Sequence, residues 1–201
     1  MTLTAIIVRH GNTFAPGEPP RRIGARTDIP LVESGRTQAQ ALGALFATDA
    51  RFDRILAAPL LRTKETAQLI SAAQPGATSV EFCDWLAEID HGPDEGRTED
   101  LVQARIGAAA LAAWDVDAIA PADWVVDGER RVDAWRTLFE QESGCFAIIT
   151  SNGAARFALR AHPDLQRQAK KLPSMKLRTG AWGQIRREGD ALRLDAWNLR
   201  P

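Results

Sequence analysis

The 201-residue sequence predicts an α/β fold of three layers, a mostly parallel central sheet with helices on both faces. Three observations carry that expectation. Short apolar runs alternate along the chain with longer segments of helical periodicity. Two of the runs, residues 3–8 and 145–150, are apolar almost throughout, as strands covered on both faces are. The composition, 45% hydrophobic and 25% charged, is that of a globular chain able to build a core without disulfides or structural metal.

The elements follow in order. Residues 3–8 (Leu-Thr-Ala-Ile-Ile-Val) read as a buried strand that stops at Arg9-His10-Gly11. A loop rich in Pro and Gly comes next. Ser34 is the expected N-cap of a helix over 35–48, with Ala39, Leu42, Leu45 and Phe46 on its apolar face. A second strand, 54–58, leads into a helix that opens at Pro59, where a missing N–H costs nothing, and runs to about residue 73. Residues 80–82 are a short third strand and 84–98 a loop. Helices are expected over 99–114 and 129–142, and the 99–142 stretch reads as a helical insertion or cap on a single domain spanning 1–201. The apolar strand 145–150 is followed by Ser151-Asn-Gly153, which leads into a helix to about Arg160. Residues 175–180, 182–187 and 191–197 close the chain as strands, the last two joined by a Gly189-Asp190 turn.

Charge excludes some functions. A net charge of −1 argues against general nucleic-acid binding. Its distribution is uneven: residues 1–80 carry 9 Lys/Arg against 6 Asp/Glu, residues 81–150 carry 5 against 16, and residues 151–201 carry 11 against 4. Basic ends that converge would make a site for an anionic ligand, and the acidic middle could shape its mouth or serve a homodimer. The two cysteines, Cys83 and Cys145, are too few for a disulfide scaffold and read as free thiols of a reducing compartment. The run 3–8 is too short for a signal core or a membrane span, so a cytoplasmic chain with no membrane partner is expected.

In an α/β sheet, ligands bind beyond the carboxyl ends of the strands. That selects the loops after Val8, Ala58 and Thr150. His10 follows the first strand with a ring nitrogen that could attack phosphorus, Arg9 offers a planar donor fork, and Gly11 permits close backbone approach. Arg62 falls in the first turn of a helix, whose free N–H groups and dipole attract anions. Glu88 lies in a loop flanked by Gly92 and Gly96, where a carboxylate can act as a general acid. Each element alone is equally a solvated turn or helix charge.

Together and in order, they resemble the motifs of the histidine phosphatase superfamily, the phosphoglycerate mutase-like family. Arg9-His10-Gly11 looks like its signature. Residues 24–39, with Gly24, Asp28, Pro30, Leu31, Gly35, Gln38 and Ala39, are similar to its G-x-x-D-x-P-L-x-x-x-G-x-x-Q-A stretch. Pro59 to Ala67 resembles its P-L-x-R-x-x-x-T-A helix start, and Leu86-x-Glu88 with Gly92 and Gly96 its L-x-E-x-x-x-G-x-x-x-G loop. The resemblance implies His10 as a phosphorylated nucleophile, Arg9 and Arg62 as phosphate arginines and Glu88 as proton donor. Gly11, Asn12, Ser151 and Asn152 complete the implied phosphate site, with no metal and no cofactor.

One departure is informative. Family members carry a second histidine after the fourth core strand, and Ser151 stands there, followed by Asn152 in place of glycine. Serine donates a hydrogen bond but no charge. Removing a preorganised donor of this kind costs roughly 10²–10³ in rate, or about 2.7–4 kcal/mol. The other histidines are His91, three residues after Glu88, and His162, a helix-end residue roughly 14 Å of helical rise beyond the turn. Pro16 occupies the position where mutases have asparagine, which argues against mutase activity. Arg21, Arg22 and Arg26 could touch the rest of an anionic substrate, while Trp85 and Trp182 read as core. The expected function is a phosphohydrolase of low or specialised activity on a small phosphorylated molecule. A non-catalytic binder of phospho-ligand or inorganic phosphate on the same fold is the alternative.

Overall fold

Alternation within two strands decides which face each helix covers. The computed structural model describes residues 2–76 and 78–201. Strands β1 (Leu3–Arg9) and β4 (Gly144–Thr150) lie side by side, parallel, with Arg9 opposite Thr150. Ala5 and Ile7 of β1, with Phe146 and Ile148 of β4, face one core; Ile6 and Val8, with Ala147 and Ile149, face the other. All eight side chains are buried. Each full burial of an Ile or Val removes enough apolar surface to contribute about 1.5–3 kcal/mol.

The second core holds α1 (Glu33–Asp49) and α2 (Leu61–Ala73), through Leu42, Phe46, Ala67 and Ile70. The first core holds α3 (Glu99–Asp117), α4 (Gly128–Gln141), α5 (Asn152–Ala155) and α6 (Pro163–Ala169), through Trp114, Trp135, Ala155 and Leu165. The sheet between them also contains β2 (Arg54–Ala57), β3 (Val80–Phe82), β5 (Trp182–Glu188) and β6 (Ala191–Leu199), in the order β3-β2-β4-β1-β5-β6. The β3-β2, β2-β4 and β4-β1 pairs are parallel, and β5 and β6 add two antiparallel pairs. The three-layer α/β arrangement is therefore the expected one. The chain leaves β1 toward α1 on one face and leaves β4 toward α5 on the other, which opens a crevice above the two central strands.

Several local expectations change. Val32, not Ser34, is the N-cap of α1, and the Ser34 hydroxyl instead accepts from Asn12 Nδ2 at 3.2 Å. Helix α2 starts at Leu61, two residues after Pro59, and its open N-terminus is closed from outside: Leu61 N donates to Asp28 Oδ1 at 2.6 Å. Helix α3 runs on to Asp117 and breaks at Gly107, whose φ of 83° lies in the left-handed region. The segment after Ser151 makes one α-helical turn and then tightens to a 3₁₀ helix over Arg156–Arg160. Residues 175–180 form a loop, not a strand. Its backbone groups bond to side chains: Leu177 N donates to Asn152 Oδ1, and Leu177 O accepts from Arg9 Nη1. The apolar face of Trp85 packs edge-on against Trp135, and Trp182 packs edge-on against Phe46, so both serve the core.

Candidate active site

Parallel register brings the two strand ends together. His10 N donates to Thr150 O at 3.1 Å, and Gly180 N donates to His10 O at 3.0 Å, so the residue after β1 is held on both sides. The His10 ring is 2% exposed, and its Nδ1 lies 2.8 Å from Gly11 O. A carbonyl only accepts, so Nδ1 carries the hydrogen and the lone pair sits on Nε2. Burial, then the charges of Arg62 and Arg9, push the His10 pKa well below 6.5. The imidazole is neutral at pH 7, the state a nucleophile requires.

The 24–39 stretch builds the cradle. Gly11 and Gly35 meet backbone to backbone: a Cβ on Gly11 would overlap the Gly35 carbonyl, and one on Gly35 would overlap Asn12 O. Gln38 Oε1 accepts from Asn12 N at 2.9 Å, and Thr179 donates to Asn12 Oδ1. Gly11 N donates to Thr66 Oγ1 at 3.2 Å, tying the turn to α2. Gly24 is surrounded so closely by Glu95, Ile89 O and His91 Nδ1 that a side chain has no room.

Arg9 and Arg62 differ in placement. Arg9 Nη1 donates to Leu177 O at 2.6 Å while the guanidinium lines a cavity of 590 Å³. Burial lowers its pKa to about 10, so it stays charged at neutral pH. Arg62 is fully buried and does not line that cavity; its Nη1 and Nη2 donate to Thr27 O and Gly24 O at 2.7 and 3.1 Å. Its Nε has no partner. Burial lowers the Arg62 pKa against the opposing pull of Glu88.

Glu88 is 5% exposed and accepts from two backbone groups, Ile89 N at 2.9 Å and Gly153 N at 3.0 Å. Burial would raise its pKa, but His91, the two N–H donors and Arg62 outweigh burial and hold it below the usual carboxylate range. The Gly153 N–H reaches Glu88 only because residue 153 lacks a side chain; a Cβ there would overlap Glu88 Oε1. Arg131 of α4 steadies this loop by donating to Trp85 O and Ala87 O at 3.1 and 2.6 Å.

Of the expected phosphate residues, Arg9, Asn12 and Asn152 line the cavity with His10 and Glu88; Gly11 and Ser151 do not. Ser151 is fully buried and its Oγ lacks a hydrogen-bond partner. His91 lines the cavity, edge-on to Trp124 at 4.7 Å, and burial lowers its pKa to about 4. His162 caps α6, accepting from Asp164 N at 3.2 Å. Arg21 and Arg22 line the cavity, whereas Arg26 turns to Asp90 at 2.9 Å and to Gly92 O. Among the described residues no His/Cys/Asp/Glu group could hold a metal ion, and no helix is long and apolar enough to cross a membrane.

Sequence reasoning missed Trp114, Asp115, Lys176 and Arg156, which also line the cavity. For Arg156 a signal existed: it is a lone charge inside the apolar run Ala154-Ala-Arg-Phe-Ala-Leu159.

Comparison with known proteins agrees with this fold. At 26% identity over 161 residues, the chain is similar to an Arabidopsis thaliana protein named "Probable 2-carboxy-D-arabinitol-1-phosphatase". That match takes in 80% of this chain but only 31% of the plant protein's length. Among solved structures, a mycobacterial glucosyl-3-phosphoglycerate phosphatase superposes with a TM-score of 0.78 at 24% identity, covering 98% of this chain and 99% of the other. The same phosphatase has been solved with inorganic phosphate and with VO₃. The alpha-ribazole phosphatase of Shigella flexneri superposes with a TM-score of 0.72 at 23% identity, over 98% of this chain and 96% of the other. The family profile described as histidine phosphatase superfamily (branch 1) matches residues 5–200, so the chain belongs to that superfamily.

Proposed function

We propose that the chain is a phosphatase that hydrolyses a small phosphate ester through a phosphohistidine at His10. The observation that carries this reading is the His10 ring itself: neutral, anchored through Nδ1 to Gly11 O, in a cavity that Arg9 and Glu88 also line. Relatives solved with phosphate or VO₃ support a phosphoryl-binding pocket on this fold.

His10 Nε2 attacks phosphorus, an N–P bond forms and the ester P–O bond breaks. Arg9 donates to the phosphoryl oxygens, and buried Arg62 adds positive potential that is felt at His10. Glu88 is ionised before substrate arrives. A phosphate group beside it raises its pKa by like-charge repulsion, so a substrate monoanion delivers the proton that Glu88 passes to the leaving oxygen. Water then attacks the phosphohistidine, Glu88 takes its proton, and the N–P bond breaks to release phosphate. Asn152, which lines the cavity and whose Oδ1 is engaged by Leu177 N, offers its Nδ2 as a neutral contact where a second histidine would supply a charged one, while Ser151 is buried off the cavity. Turnover slower than in a two-histidine relative follows. In the same reading, 99–142 caps a single domain, with Trp114 and Asp115 of α3 forming part of the pocket wall.

The alternative, a phospho-ligand binder without turnover, draws on the same Ser151. Both readings meet one test: hydrolysis of an aryl phosphate by wild type, His10→Ala and Ser151→His, with acid-quenched protein assayed for acid-labile phosphate. Turnover by wild type, its loss in His10→Ala and a gain in Ser151→His support the phosphatase. Equal inertness of wild type and His10→Ala, with phosphate still bound, leaves the binder.

A further inference from the structure

The loop that carries Glu88 is docked at several points on α4 and on the segment just ahead of it. Asp90 N donates to Val125 O at 3.1 Å, and Val125 N donates back to Asp90 O at 2.9 Å. Trp85 meets Trp135 of α4 edge-on at 4.9 Å, and Trp124 Nε1 donates to the buried carboxylate of Asp94 at 2.8 Å. Gly92 lies so close to Asp123 O that a Cβ there would overlap it. One side chain of α4 holds the main chain of both partners. Arg131 Nε donates to Val126 O at 2.8 Å, and its Nη1 donates to Trp85 O at 3.1 Å and to Ala87 O at 2.6 Å.

The Ala87 carbonyl belongs to the peptide whose nitrogen is that of Glu88. A peptide is planar, so fixing that carbonyl restricts the direction in which the Glu88 side chain leaves the main chain. The carbonyl between the two that Arg131 holds, Leu86 O, accepts from Thr150 Oγ1 at 2.6 Å. Three successive carbonyls ahead of Glu88 are therefore pinned, two by α4 and one by the end of β4. Charge acts in the same sense. Burial lowers the Arg131 pKa, and the Glu88 carboxylate pulls it back up, so the two groups stabilise each other's charged forms. Arg131 does not line the cavity and cannot touch a ligand there. Its neighbour Arg130 is exposed and lies 3.8 Å from Asp127, so only the second of two consecutive arginines is built into the loop.

We infer that Arg131 is the positioning residue of the general acid: by holding the Ala87–Glu88 peptide to α4, it aims the Glu88 carboxyl at the leaving oxygen. Helix α4 thereby takes part in proton transfer without reaching the substrate. The leaving oxygen rests on the phosphatase reading; the hold on Glu88 does not.

The test separates an ester that needs a proton on departure from one that does not. Phenyl phosphate has a poor leaving group, whereas 2,4-dinitrophenyl phosphate loses its phenolate unprotonated. Arg131→Met should lower kcat/KM on the first by at least about tenfold and on the second by less than about threefold, general-acid catalysis contributing roughly 10²–10⁴ in rate. Arg130→Met removes a charge from the same helix and should change neither. A second readout needs no turnover: an NMR titration of the Glu88 carboxyl, assigned with Glu88→Gln. Its midpoint should rise in Arg131→Met, because a cation that favours the carboxylate is gone. Arg131→Lys keeps the charge but cannot span both carbonyls. It should show a smaller leaving-group effect with the titration nearly unmoved, and it decides the matter if Arg131→Met fails to fold. A parallel fall on both esters in folded Arg131→Met protein, or a Glu88 midpoint unmoved by that change, overturns the inference. If wild type hydrolyses neither ester, the phosphatase reading fails alone, and the titration still decides whether Arg131 governs Glu88.

Discussion

The cavity has two walls built on opposite rules. On the strand-end wall, polar groups are tied to main chain: His10 to Gly11 O, Arg9 to Leu177 O, and Glu88 to the N–H groups of Ile89 and Gly153. On the tryptophan wall, Arg156 lies over the Trp114 ring at 4.1 Å and Arg22 over the Trp124 ring at 4.9 Å, and the two rings meet edge-to-face at 5.5 Å. The difference teaches what each wall is suited to. Reaction chemistry needs groups fixed in one protonation state and orientation before substrate arrives. A ring face holds a guanidinium by its plane alone, which suits a wall that shapes the cavity rather than one that reacts.

The largest expected effect breaks the strand-end wall. His10→Asn should reduce phosphatase kcat by at least on the order of 10³ while leaving the melting temperature within a few degrees, as enzymology beside a thermal melt would show. Retention of a tenth of the wild-type rate would remove His10 from the reaction. Next, Gly11→Ala forces a methyl against the Gly35 carbonyl, where backbone must move. A loss of about 1–3 kcal/mol is expected in urea unfolding, together with lower kcat.

His91 sits between the walls and titrates out of its ordinary range. The unfolded chain protonates it near pH 6.5 and the folded chain near 4. More protons are therefore bound in the unfolded state across that window, so stability is fullest above 6.5 and declines as pH falls toward 4. The contribution is about 3 kcal/mol at most. His91→Phe, which keeps a ring against Trp124, should flatten the fall in denaturant midpoint between pH 7 and 4.5; an unchanged slope would assign it elsewhere. The smallest effect lies at the rim. Arg21 is half-exposed and paired with Glu18 at 3.1 Å, so Arg21→Ala should change stability by less than about 1 kcal/mol. A larger loss would mean that the rim is packed as tightly as the strand ends.

Much of the strand-end wall was legible because its constraints are local. Arg9, His10 and Gly11 follow a buried strand directly, and Glu88 lies in a glycine-flanked loop. Even the supporting residues Asp28, Gly35 and Gln38 stand in a recognisable spacing, although their roles became plain only in three dimensions: closing α2, admitting the His10 turn and accepting from Asn12 N. Ser34 and residues 175–180 misled for one reason. A hydroxyl and an extended backbone have several hydrogen-bonding options of similar energy, and long-range partners, Asn12 for Ser34 and Arg9 and Asn152 for Leu177, decided between them.

The tryptophan wall was hidden because nothing local marks it. Arg22, Trp114, Trp124 and Arg156 come from four separate segments, and no spacing relates them. By itself the sequence determined the central strands and the His10 turn, since apolar alternation and a strand-ending motif are written in consecutive residues. Only the tertiary structure decided that Arg62 is buried away from the cavity lining, that Ser151 is buried, and that Arg22 and Arg156 each lie over one ring of a tryptophan pair. Those facts depend on which distant side chains share a desolvated space, and burial of charge is a property of the packed interior rather than of the chain order.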